Sequence, residues 1–84
     1  MLNNEEIKKL RWSCRRGMLE LDVILMSFLE DTFPSLQEAQ QNTFVELLEL
    51  PDPELFSALM GHHTLPQAHL SELVTLIRKN NGTL

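Results

Sequence analysis

Apolar residues recur along this chain at helical spacing, in five blocks separated by turn residues. In the first, Ile7, Leu10 and Cys14 form a narrow seam on a helix expected from about Asn4 to Cys14. Asn3 followed by Glu6 has the spacing of an N-cap and the third residue of its helix. The second block is denser. From Met18 to Leu29 nine of twelve residues are apolar, more than one stripe on a surface helix requires, so this helix is expected to be central. At about 100° per residue, Met18, Leu21, Ile24, Leu25, Phe28 and Leu29 share one broad face. Glu20, Ser27 and Asp31 lie opposite, Leu19, Val23 and Met26 form a second, smaller apolar patch, and Asp22 sits on the boundary. Leu19 and Val23 are expected to pack, since a small domain can ill spare them, and Met26 to stay partly exposed, as adaptable methionines at binding surfaces do.

Turn residues set the divisions. Gly17 separates the first two helices, either ending one or capping the next, in which case Glu20 is the third residue of the second helix. Pro34 breaks the chain again. Ser35 and Glu38 then have capping-box spacing, which predicts a third helix from Leu36 to about Glu49. Its core face is Phe44, Leu47 and Leu48, with Leu36 and Val45 at the edge and residues 37–42 toward solvent. Asp52-Pro53-Glu54 reads as an N-cap, a proline at the first helical position and an acid in the first turn, opening a short helix over Pro53 to Met60 that Gly61 ends. Leu55, Phe56, Leu59 and Met60 are its core candidates. After the connection His62 to Pro66, Leu70, Leu73, Val74 and Ile77 mark a fifth helix from Ala68 to about Lys79, which Asn80-Asn81-Gly82 stops. Neither strand-like alternation nor an internal repeat of roughly 20–50 residues is present. The expected fold is all-α, a five-helix bundle forming one domain over residues 1–84, with its ends frayed at about 1–3 and 80–84.

Composition narrows the function. A chain of 84 residues buries about 60–65% of its unfolded surface and holds one modest core, with no room for a large internal active site. The net charge of −5 disfavours nucleic acid, whose affinity comes mainly from Lys and Arg neutralising phosphates. That charge is also polarised: five of the seven Lys/Arg lie between Lys8 and Arg16, and nine of the twelve acids between Glu20 and Glu54. A lone cysteine, Cys14, forms no internal disulfide and fits a reducing compartment. The N-terminus lacks the basic-then-apolar pattern of a signal peptide and is too acidic for a transit peptide. The longest nearly apolar stretch, Val23 to Leu29, is far short of the roughly 20 residues that span a bilayer. A cytoplasmic protein without membrane insertion is expected.

Candidate chemistry is sparse. His62, His63 and His69 lie close in sequence, but their spacing fits no defined metal site. Cys14 sits on an apolar seam, where a thiol is ordinarily inert. No phosphate-binding loop, nucleophile elbow or specific carboxylate pair occurs, so neither an enzyme nor a metal site is expected. The stretch Arg11-Trp12-Ser13-Cys14-Arg15-Arg16 is too short to argue for nucleic acid. It fits dipole complementation, a cation–π contact between Trp12 and Arg16, an internal ion pair or an acidic protein partner, and a protein-binding surface fits best because Trp and Arg most often anchor interfaces.

The run Arg15-Arg16-Gly17-Met18-x-Glu20-Leu21-Asp22, with Leu47-Leu48-Glu49-x-x-Asp52-Pro53-Glu54-Leu55-Phe56 after it, resembles the small succinate dehydrogenase assembly factors. These comprise the bacterial flavinylation factors and a mitochondrial counterpart, and the likeness runs from about Leu10 to Ile77. It implies a five-helix bacterial protein that promotes covalent attachment of FAD to the flavoprotein subunit of succinate dehydrogenase, and in bacteria of fumarate reductase. No cofactor of its own is expected, the FAD being the client's, and the chain is expected to be a monomer or weak dimer. Arg16, Gly17 and Glu20 occupy the family's functional motif. The expected partner-binding set is Arg11, Trp12, Arg15, Arg16, Gly17, Met18, Glu20, Asp22 and Met26, with Arg16 and Glu20 meeting charged or polar groups of the flavoprotein and Gly17 marking a close approach of two backbones. An antitoxin-like or other small regulatory protein-binding module, a description also given to members of this family, is the alternative.

Overall fold

Burial of one face of the second helix organises the chain. In the computed structural model, which describes residues 3–82, α1 spans Asn4–Ser13, α2 Leu19–Asp31, α3 Glu38–Leu47, α4 Asp52–Leu59 and α5 Ala68–Asn80. A 3₁₀ turn, Phe33–Ser35, joins α2 to α3, and no strand occurs among the described residues. α5 packs against α2, α3 and α4 and closes the bundle. Its buried Leu70, Leu73, Val74 and Ile77 are the four that helical spacing singles out.

Asn3 fixes the first helix. Its Oδ1 accepts the Glu6 N–H at 2.8 Å while its own N–H donates to Glu6 Oε1 at 3.3 Å, a reciprocal capping box. Asn80, at the other end of the chain, is the last residue of α5 and accepts a hydrogen bond from the Thr32 hydroxyl. Met1, Leu2, Thr83 and Leu84 lie outside the described residues. At the other end of α4, Gly61 takes φ +79°, and the N–H groups of Gly61 and His62 reach back to the carbonyls of Ala58 and Ser57. That double bond is a Schellman stop, which glycine makes without the penalty of a Cβ.

Three boundaries differ from the sequence expectation. α3 begins at Glu38, because Pro34 lies in the 3₁₀ turn and Leu36 is extended with ψ 149°, so Ser35 ends a turn and does not cap a helix. α4 starts one residue early, at Asp52, whose carboxylate is engaged by Arg16. Glu20 is the second residue of α2, whose N-cap is Met18.

The core holds the expected leucines together with residues the pattern did not reveal. Phe28 and Phe33 each lie 5.4 Å from Phe44, centroid to centroid, in tilted contacts worth about 0.5–1.5 kcal/mol beyond their area. Phe33 is brought there by the 3₁₀ turn, and Ala58 and Leu65 are also buried. Gln41, expected in solvent, is buried with its amide donor satisfied: Nε2 donates to the Phe33 carbonyl at 3.1 Å. The larger correction concerns α2. Leu19 and Val23 are 79% and 56% exposed, not packed. They lie on the side of α2 away from Leu21, Leu25 and Phe28, which are buried in the core. Met26 is half-buried against the core edge.

Candidate functional site

The link between α1 and α2 is short and held at several points. Cys14 caps α1 and is fully buried, its N–H donating to the Leu10 carbonyl at 3.1 Å. Two residues on, the Arg16 N–H donates to Asp22 Oδ1 at 2.6 Å, tying the link to the first turns of α2. The Arg16 side chain, 17% exposed, runs inward. Its Nη2 donates to the Leu48 carbonyl at the end of α3, Nη1 lies 3.6 Å from Asp52 Oδ1, and Nε is shut off from solvent with no hydrogen-bond partner.

Gly17 follows with φ +81°. An L side chain in such a left-handed conformation costs about 1–2 kcal/mol. A Cβ at Gly17 would meet no atom within 4 Å, so the requirement is conformational and the space beyond is open. Met18, Leu19 and Glu20 are exposed beside it, and Val23 continues the apolar ridge one turn along α2. On α1, Trp12 is 70% exposed with the Arg15 guanidinium 5.3 Å from its ring centroid. The expected cation–π partner was Arg16. α1 ends at Ser13, which takes Arg16 off the helical i, i+4 register, and its guanidinium goes to Leu48 and Asp52. Arg11 reaches across to Glu30 of α2 at 3.3 Å.

Of the expected partner-binding residues, Arg11, Trp12, Arg15, Gly17, Met18 and Glu20 are exposed, whereas Arg16, Asp22 and Met26 are half-buried. Sequence reasoning missed Leu19 and Val23 as surface residues and Asp52 as the partner of Arg16. Only the sign of its charge could have hinted at Asp52.

No reactive group stands at this corner. Burial raises the Cys14 thiol from 9.0 to about 11, opposed by the nearby Arg16 and Arg11 charges and reinforced by Asp22. The thiol is neutral at physiological pH and is a poor nucleophile. His62 and His63 are exposed in the loop before α5, and His69 Nε2 lies 3.1 Å from the Glu46 carboxylate. Among the described residues no three His, Cys, Asp or Glu side chains converge as a metal site. A depression of about 430 Å³ between α1 and the α2–α3 connection is lined mostly by apolar atoms of Ile7, Leu29, Phe33 and Pro34, with the Arg11–Glu30 pair beside it. No helix among the described residues is long and apolar enough to cross a membrane.

Comparison with known proteins places this corner in a family. The family described as the flavinator of succinate dehydrogenase, Sdh5, matches residues 8–81. A protein of Vibrio cholerae named FAD assembly factor SdhE is 46% identical over 81 residues, covering 96% of this chain and 94% of its own. One of the same name from Coxiella burnetii is 50% identical over 72 residues, covering 86% and 84%. A solution structure of a UPF0350 protein shares the fold with a TM-score of 0.83 at 44% identity, covering 99% of this chain and 88% of that one. The family match takes in the whole α1–α2 corner together with Leu48 and Asp52, and the chain belongs to the Sdh5 family, the flavinators of succinate dehydrogenase.

Proposed function

We propose that this chain promotes covalent attachment of FAD to the flavoprotein subunit of succinate dehydrogenase, and to that of fumarate reductase, by docking on the subunit and stabilising its attachment-competent conformation. The observation that carries this reading is the Gly17 corner, where an open, side-chain-free backbone position with φ +81° adjoins exposed Met18, Leu19, Glu20 and Val23. Gly17 allows a partner backbone close approach, Glu20 supplies a charge, and the apolar ridge supplies area. Trp12 with Arg15 and Arg11 extends the surface along α1, and Asp22 and Met26 support it from the side. Exposed apolar residues grouped beside charged ones are the composition of a docking patch.

The protein acts as a helper with no catalytic residue of its own. Relatives named as FAD assembly factors support this role. What a helper contributes is geometry. Holding reacting groups in a near-attack arrangement lowers model barriers by up to about 7–11 kcal/mol. A helper reaches part of this by binding the competent conformation more tightly, and a preference of about 1.4 kcal/mol already shifts that equilibrium tenfold.

The test is reconstitution. Purified flavoprotein subunit with FAD should acquire covalent flavin, seen as fluorescence that survives denaturing electrophoresis, faster with this chain than without it, and the two should co-purify. Absence of both effects, or recovery of a toxin or RNA on the tagged chain in place of a flavoprotein, would overturn the reading.

A further inference from the structure

We propose that Arg16 is a positioning residue: with Asp52 and the Leu48 carbonyl it forms a latch that holds the Gly17 corner in its docking shape from behind the surface. This rests on the docking role proposed above. It differs from the expectation that Arg16 itself meets the client.

The latch follows from where the guanidinium is placed. Leu48 caps the C-terminus of α3, where carbonyls lack helical partners and carry the negative end of the dipole. Asp52 opens α4, three residues after Glu49. One cation thus bridges the end of one helix and the start of the next, through a charge-assisted hydrogen bond and an ion pair. The backbone of the same residue is held by Asp22 on α2. Residue 16 is therefore fixed at both its main chain and its side chain, immediately before the one position in the link that takes a positive φ. For Arg16 to turn outward to a client, the Leu48 carbonyl would lose its partner and the Asp52 pair would break, and unmade hydrogen bonds of that kind are costly. Lysine keeps the charge but presents no planar fork to span two acceptors.

Asp52 thereby gains a function that its place in a helix start does not suggest. If Arg16 works through Asp52, the two residues are energetically one unit. A double-mutant cycle on Arg16→Lys and Asp52→Asn tests this, with Asp52→Glu as the conservative control. Client flavinylation is measured against factor concentration, and amide exchange of Arg16 is measured in the free protein. Each single variant should raise the half-saturating concentration about tenfold with the saturated rate retained, and the double variant should add little more, as expected for coupled sites. Asp52→Glu should restore most of the loss, and the Arg16 amide should exchange faster in Asp52→Asn with no client present. Losses that multiply in the double variant would overturn the latch in favour of direct contact. So would unchanged exchange alongside lost docking, or a lower melting temperature with docking per folded molecule unchanged. A parent chain that fails to accelerate flavinylation would sink the docking reading, and the exchange data, which need no client, would still decide whether Asp52 holds the corner.

Discussion

α2 carries two apolar faces built from the same kinds of side chain, and the fold treats them oppositely. Leu21, Leu25 and Phe28 are fully buried in the core, whereas Leu19 and Val23 project into solvent. Burying a Leu or Val side chain stabilises by about 1.5–3 kcal/mol. A small domain that leaves two such residues out forgoes a sizeable share of its stability, which is ordinarily only about 5–15 kcal/mol in all. Burial along α2 is decided by which elements exist to cover it, and apolar character alone does not decide it. The uncovered face adjoins Gly17, where a Cβ would meet no atom within 4 Å.

The comparison breaks or holds first on the buried side. Phe28→Ala removes a ring packed on Phe44 in the centre of the core and should destabilise by about 3–5 kcal/mol, visible as a large fall in melting temperature. A fall no greater than that of an exposed-face variant would mean the two faces are not distinct.

Gly17 comes next, since it stands at the edge of the exposed face. Gly17→Ala and Gly17→Arg both place a Cβ in a left-handed conformation and should each cost about 1–2 kcal/mol in thermal melts. Open space around the position leaves the arginine no further clash within the chain. Far-UV circular dichroism should therefore show both variants folded. On the proposed docking role, client flavinylation should be abolished by Arg and only reduced by Ala, because bulk at a close approach of two backbones would block docking. An unfolded Gly17→Arg would make Gly17 a structural break alone.

The helices themselves were legible in the sequence because their signals are local. Asn3 with Glu6, the glycine after α4, and the spacing from Leu70 to Ile77 each act within a few residues, and each produced the expected element. What escaped is long-range. Phe33 enters the core through a 3₁₀ turn where Pro34 and Ser35 suggested a helix start. Asp52 looked like a cap because its own neighbourhood allows one, and the guanidinium of Arg16, distant in sequence, claims it. Leu19 and Val23 looked packed because their chemistry permits packing, and their exposure depends on an element that does not come. For the candidate site, the motif from Arg15 to Asp22 and Trp12 drew attention to the corner, while the exposure of Trp12 and Met18 and the inward course of the Arg16 side chain required the third dimension.

On the exposed face, Leu19→Ser and Val23→Ser should change stability by no more than about 0.5 kcal/mol, as surface substitutions do. Their effect should appear as weaker client docking, read as a higher concentration for half-maximal flavinylation with the saturated rate retained. Destabilisation approaching that of Phe28→Ala would place the ridge in a packed environment. Unchanged docking in a Leu19→Ser/Val23→Ser double variant would remove the ridge from the interface.

The smallest effect is expected from the histidines, which have chemical capability without the arrangement to use it. His62 and His63 are exposed in the loop before α5, and His69 pairs with Glu46 at 3.1 Å where both side chains are about half exposed. Exposed ion pairs contribute roughly 0–1 kcal/mol, and this one acts only while the imidazole is charged. Replacing all three by alanine should therefore lower stability by no more than about 1 kcal/mol and leave flavinylation unchanged. Zinc titration of the parent chain should show no stoichiometric binding at micromolar metal, because three imidazoles divided between an exposed loop and an ion pair lack a shared coordination centre. Tight zinc uptake, or lost flavinylation in the triple variant with its fold intact, would show that these residues belong to the working surface after all.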